Sequence, residues 1–206
     1  RILLCLALAA APAAAIPPLP PPEVVVGDIA MQVSESRLRA DIDTLVGFGT
    51  RHTLSSQTDP KRGIGAAVNW AEATLKGLGL KTLQTCETVT KPPRVPAPTR
   101  VCNAVAIQVG TERPNDVVII TGHIDSRVSD VMNATADAPG ANDDGSGTAA
   151  VIEAARLLSK RQFPGTIVYA VLSGEEQGLI GGKILADYAK AQGWNVIANL
   201  NNDIIG

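Results

Sequence analysis

Two adjacent aspartates, Asp143 and Asp144, lie in the glycine-punctuated stretch Pro139-Gly140-Ala141-Asn142-Asp143-Asp144-Gly145-Ser146-Gly147, which runs directly into an alanine-rich helical pattern. Three further clusters flank it: Gly122-His123-Ile124-Asp125, Ser173-Gly174-Glu175-Glu176 and Asn201-Asn202-Asp203. One imidazole with several carboxylates and no thiolate is the donor set of a zinc or related divalent-ion site suited to hydrolysis. A carboxylate can bridge two ions roughly 3.5–4 Å apart, a role open to Asp143. Asp125, two residues after His123, is suited to accept the other ring N–H and fix the tautomer. Glu175 and Glu176 are consecutive, so in extended geometry their side chains diverge; one can ligate while the other serves as general base.

Taken singly, each cluster has an ordinary structural explanation. Asp143-Asp144-Gly145-Ser146 fits a capped helix start, and Glu175-Glu176 fits the acidic opening of a helix. His123 alone fits a satisfied core histidine. Their joint weight comes from what precedes them. His123 follows the buried-strand pattern 117–121, Glu175 follows 166–172 after Ser173-Gly174, and Asp203 follows 196–202. In an open α/β sheet, ligands bind beyond the carboxyl ends of the strands.

The elements that must position these residues follow from periodicity. Leu38, Ile42, Leu45 and Val46 predict a helix entered at Ser34 and ended at Gly47, and a second amphipathic stripe predicts one over 63–78. Apolar runs predict strands at 102–109, 117–121, 166–172 and 196–202, with helices over 148–158 and 179–191 between them. Helices alternating with continuous apolar strands predict a three-layer α/β/α sandwich around a mixed, mostly parallel sheet.

The chain has 206 residues, 45% hydrophobic and 18% charged, with a formal net charge of −2. That is an ordinary globular balance, implying no nucleic-acid or membrane-surface partner. Arg1 and the apolar run 2–10 before Ala13-Ala14-Ala15 have the pattern of a signal peptide over 1–15, followed by a proline-rich tether over 16–33 and the main domain over 34–206. Export to the periplasm or medium is therefore expected. Removing the leader leaves Cys86 and Cys102, an even pair for which a disulfide around the proline-rich segment 91–98 is expected. Closing about 15 residues contributes roughly 3 kcal/mol in the chain-entropy view.

In order and spacing, Gly122-His123-Ile124-Asp125-Ser126, the Pro139 to Gly147 stretch, Gly174-Glu175-Glu176-Gln177-Gly178-Leu179 and Asn202-Asp203-Ile204-Ile205-Gly206 resemble the secreted dinuclear-zinc aminopeptidases, the family that includes bacterial leucyl aminopeptidases, aminopeptidase Y and glutamate carboxypeptidase. The resemblance implies two zinc ions per full-length chain. His123 and Asp203 would ligate one, Glu176 the other, and Asp143 would bridge them. It further implies that Glu175 is the general base acting on a metal-bound water, that Asp125 orients His123, and that the substrate is a peptide cleaved at its N-terminal residue. The family's second zinc also takes a histidine from a later segment. The only other histidine, His52, lies in an early polar loop and is not read as its substitute. The chain is accordingly expected to be part of a longer enzyme, and weakly active or inactive as it stands. A single-zinc enzyme like the glutaminyl cyclases of this fold, and a non-catalytic peptidase-like interaction domain, are the alternatives.

Overall fold

The computed structural model describes residues 22–206, so the expected signal peptide lies outside the described residues. The described chain forms two units, one ending at Met31 and one spanning Gln32–Gly206. The first contains helix α1, Pro22–Ala30, within the stretch expected to be a tether. Proline is favoured at a first helical position, and no second proline occurs within the helix.

The second unit contains the predicted alternation. Helix α2, Glu35–Gly47, is capped by Ser34, whose hydroxyl accepts from the Arg37 amide. Helix α3, Ile64–Gly77, buries Ala67, Val68, Ala71 and Leu75. Strands β1, Lys81–Lys91, and β2, Val95–Gln108, form a long hairpin. They are followed by β3 (Arg113–His123), α4 (Gly145–Leu158), β4 (Gly165–Leu172), α5 (Ile180–Ala191) and β5 (Asn195–Asn201).

The five strands make one sheet in the order β1-β2-β4-β3-β5. The β1/β2 and β2/β4 ladders are antiparallel, whereas β3/β4 and β3/β5 are parallel, a more even mixture than expected. Strand β1 and the first half of β2 carry no continuous apolar run. Their pairing to one another sustains them. Pro96 and Pro98 are tolerated because β2 pairs with β4 only over 104–108, leaving a free edge beside both prolines. Cys86 and Cys102 are register partners across this hairpin and are joined by a disulfide.

Alternation along β2 and β4 divides the core between two faces. Ala104, Ala106, Ile167, Tyr169 and Val171 pack with α3 and α4 residues such as Leu75 and Ile152. Val105, Val168 and Ala170 pack with Val117, Ile119 and Leu185 of α5 on the opposite face. Helices on both faces give the three layers. The two parallel ladders place the carboxyl ends of β4, β3 and β5 side by side, with β3 in the middle.

Candidate metal centre

His123 is the last residue of β3 and pairs in register with Leu172, the last residue of β4. The adjoining backbone continues the ladder, since Ile124 N donates to Leu172 O at 2.7 Å. On the other side Asn202 N donates to Thr121 O at 2.8 Å, fixing the segment that carries Asp203. The turn with Asp143 and Asp144 reaches the same edge through the start of α4. That approach requires glycines. A Cβ on Gly122 would lie 2.6 Å from the Gly147 carbonyl carbon, and one on Gly147 would lie 2.3 Å from Asn202 O.

The His123 ring is held from one side and presented from the other. Its Nδ1 lies 3.0 Å from the Asp125 backbone carbonyl and 3.5 Å from that residue's Oδ1. Both are acceptors, so the proton of the neutral ring belongs on Nδ1 and the Nε2 lone pair faces outward. Around Nε2 stand Asp143 Oδ1 at 3.3 Å, Glu175 Oε2 at 3.8 Å and Asp203 Oδ1 at 3.9 Å. Zinc–ligand bonds of about 2.0–2.1 Å put tetrahedral donor atoms roughly 3.3 Å apart, so the His123–Asp143 distance and the donor chemistry of His123, Asp143 and Asp203 suit zinc, with the His123–Asp203 pair somewhat wider.

The two neighbouring aspartates have different tasks, and their shared peptide bond is cis. Asp144 also brings a carboxylate oxygen within 4.8 Å of donor atoms of His123 and Asp203. Its oxygens, however, accept from the amides of Gly147 at 2.8 Å, His123 at 2.9 Å and Ile204 at 3.3 Å. It therefore caps α4 and ties that helix to the ends of β3 and the chain beyond β5. Asp143 is half exposed and has no backbone amide partner among the described residues, which leaves its carboxylate for a ligand.

Electrostatics follow from this crowding. Burial alone would depress the His123 pKa, but the Asp125 hydrogen bond and the charges of Asp125, Asp144 and Glu175 push it up to about 10. Burial raises the Glu175 carboxyl; nearby His123 opposes the shift, and the other carboxylates add to it. Burial likewise takes Asp144 up to about 6 against its amide donors. Asp125 is fully buried, which would raise it, yet hydrogen bonds from His123, Thr53 and the Glu176 amide hold it below its ordinary value.

Asp125 does more than touch His123. Its carboxylate accepts from Thr53 Oγ1 at 2.9 Å and from the backbone amides of Glu175 and Glu176, both at 3.1 Å. One buried side chain thus ties the imidazole to the turn that carries both glutamates. Glu176 itself is not among the groups around Nε2; its carboxylate pairs with Arg127 Nε. His52 is fully buried elsewhere, with its ring bonded to Leu54 N, Val131 O and Gln177. A groove of about 550 Å³ opens beside the cluster, lined by Thr121, His123, Leu172, Glu175, Leu179 and Asp203 among others.

Sequence reasoning overlooked Arg51, Thr53, Thr148 and Arg127. Thr148 Oγ1 donates to His123 O at 2.9 Å, and Arg51 donates to the carbonyl of Ile124 at 2.7 Å. None of these carries a periodic or motif signal; only the folded contacts select them.

The profile of peptidase family M28 matches residues 103–206. A probable zinc metalloprotease of Pyricularia oryzae is 44% identical over 91% of this chain and 41% of its own length. One of Leptosphaeria maculans is 45% identical over 91% of this chain and 45% of its own. The chain thus spans less than half the length of these relatives. Among solved structures, the Legionella pneumophila LapA aminopeptidase superposes with a TM-score of 0.69 at 21% identity, covering 90% of this chain and 47% of that one. A glutaminyl cyclase of Bacteroides thetaiotaomicron superposes with a TM-score of 0.68 at 20% identity, covering 85% and 63%. At these identities the structural likeness is one of fold.

Proposed function

The chain belongs to peptidase family M28, and from that premise we propose that it carries the zinc-binding part of an exopeptidase that removes N-terminal residues from peptides. The observation that carries this reading is the convergence of Asp143, Glu175 and Asp203 on the outward nitrogen of His123, at the ends of three parallel strands. His123, Asp143 and Asp203 would hold one zinc. Asp143 and Glu176 would contribute to a second, with Glu176 exchanging Arg127 for the ion. When bound, zinc supplies Lewis acidity toward a peptide carbonyl and toward water.

The protein's own groups do the rest. Asp125 holds the His123 ring in one tautomer and fixes the Glu175-Glu176 backbone, so the base and the ligand keep their separation. Glu175, with a carboxyl raised by burial, is suited to take up a proton and return it to the departing amine. The apolar walls of the groove, Leu172 and Leu179, would exclude water from one side of a bound peptide. Export remains part of the proposal, supported by the Cys86–Cys102 disulfide, since such bonds persist in oxidising compartments.

A second reading, a single-zinc cyclase, is favoured by one observation: among the described residues, metal-type side chains gather in one three-residue group, at His123. Zinc-loaded wild type and Glu175→Gln, compared at equal zinc content on aminoacyl anilides and on N-terminal glutaminyl peptides, decide between them. Release of the N-terminal residue that falls about 10²–10⁴-fold in Glu175→Gln is expected. Pyroglutamate formation without release would favour the cyclase, and unchanged turnover would remove Glu175 from the chemistry.

A further inference from the structure

We infer that Arg51 is a positioning residue for the metal centre, locking the turn that delivers Asp143 to the end of the strand that delivers His123. The inference rests on the zinc-site reading above. Arg51 has no exposed surface. Its Nε donates to Ile124 O at 2.7 Å, immediately beyond His123. Its Nη1 donates to Leu45 O at 2.9 Å and Pro139 O at 2.8 Å, and its Nη2 to Gly140 O at 2.8 Å. One planar fork thus joins the last turn of α2, the exit of β3 and the approach to Asp143. Gly140 O also accepts from Gly145 N at 3.0 Å, so the clamped carbonyl closes the turn around both aspartates.

The backbone beside Arg51 repeats the tie. Arg51 N and O both meet Ser126, at 3.3 and 3.4 Å, and Ser126 Oγ donates to Ala138 O at 2.8 Å. The fit leaves no slack at Gly140, where a Cβ would lie 2.5 Å from Ser126 Cβ and 2.9 Å from Arg51 Nη2.

Packing alone does not account for an arginine here. Every acceptor of its side chain is a neutral carbonyl, and among the described residues no carboxylate forms an ion pair with it. A desolvated cation so placed is costly, and a methionine would fill the volume without that cost. Burial lowers its pKa to about 10, and the charges that oppose the shift are those of Asp125, Asp144 and Asp143. The guanidinium therefore sits behind the acidic cluster, compensating it from the protein side while fixing its geometry. Lysine would keep the charge but could not span carbonyls from three segments in one plane.

The test measures zinc affinity by chelator competition, with thermal melts, for the full chain as wild type, Arg51→Lys, Arg51→Met and Arg156→Met. Arg156 is a second, largely buried arginine that joins α4 to α2. Arg51→Lys, assayed below its melting temperature, is expected to bind zinc at least about tenfold more weakly, as for other supports of metal ligands. Arg156→Met should lower the melting temperature and leave zinc affinity unchanged. A folded Arg51→Lys that binds zinc within about twofold of wild type overturns the inference. If neither Arg51 variant folds, Ser126→Ala, which removes the tie from the Arg51 backbone to Ala138, is judged by the same two outcomes. A wild-type chain that binds no zinc would instead overturn the site reading, and this inference with it.

Discussion

His123 can offer one nitrogen to three carboxylates because Asp125 occupies the other, and that division decides what each acid near it can do. Asp143 and Asp144 are neighbours in sequence with opposite duties, one free to ligate and one consumed by three amides. Asp143→Ala is expected to abolish zinc binding with little change in the melting temperature of the metal-free protein. Asp144→Ala is expected to cost about 2–3 kcal/mol of stability, because buried N–H groups lose their acceptor and α4 loses its cap. Paired denaturant and zinc titrations check both, and a reversed pattern would exchange the two roles. Type, spacing and position after apolar strands brought His123, Asp143, Glu175 and Asp203 forward in the sequence, and the fold gathers them around one ring nitrogen. The capping role of Asp144 was legible only as a generic possibility, because spacing does not say which of two adjacent carboxylates faces the backbone. The link from Asp125 to the Glu175 and Glu176 amides left no trace, since a backbone donor has no residue type.

The elements were read well where burial wrote a pattern and poorly where pairing alone sustains them. Strands β3 and β4 are apolar on both faces and announce themselves. Strand β1, Lys81–Lys91, is largely polar and lies at the sheet edge, so its ladder to β2, the Cys86–Cys102 bond and a few packed side chains such as Leu83 and Val89 define it rather than an apolar run. Reduction of that disulfide is expected to lower stability by about 3 kcal/mol, measured by unfolding with and without a thiol reductant. Helix α4 begins at Gly145, ahead of the expected 148, because the glycines that weaken a helical pattern are needed for its close approach to β3. Its far side is joined to α2 by two ion pairs, Glu153 with Arg37 and Arg156 with Asp41, while Arg156 also pairs with Glu153 within α4. Glu153 is nearly buried, and its carboxylate also accepts from Ser34 N at 3.0 Å. Glu153→Ala should therefore lose about 2–4 kcal/mol, with zinc affinity unchanged. A loss of zinc affinity in that variant would show that the helix interface and the site are coupled.

At the scale of the whole molecule, the site exists because two parallel ladders bring the ends of β4, β3 and β5 to one edge, and a helix start crosses it from above. The alternation of helices and apolar strands made that architecture readable. The balance of parallel and antiparallel pairing was not, since an apolar run such as 102–109 predicts a strand without its direction, and the strand over 81–91 carries little apolar signal. The most direct test is the position of the metal itself. Anomalous diffraction at the zinc edge, from crystals of the zinc-loaded protein, should place an ion bonded to His123 Nε2 and to carboxylate oxygens of Asp143 and Asp203, with Glu175 beside it and unbonded. An ion bonded through Asp144 in place of Asp143, or zinc found only away from His123, would contradict the account.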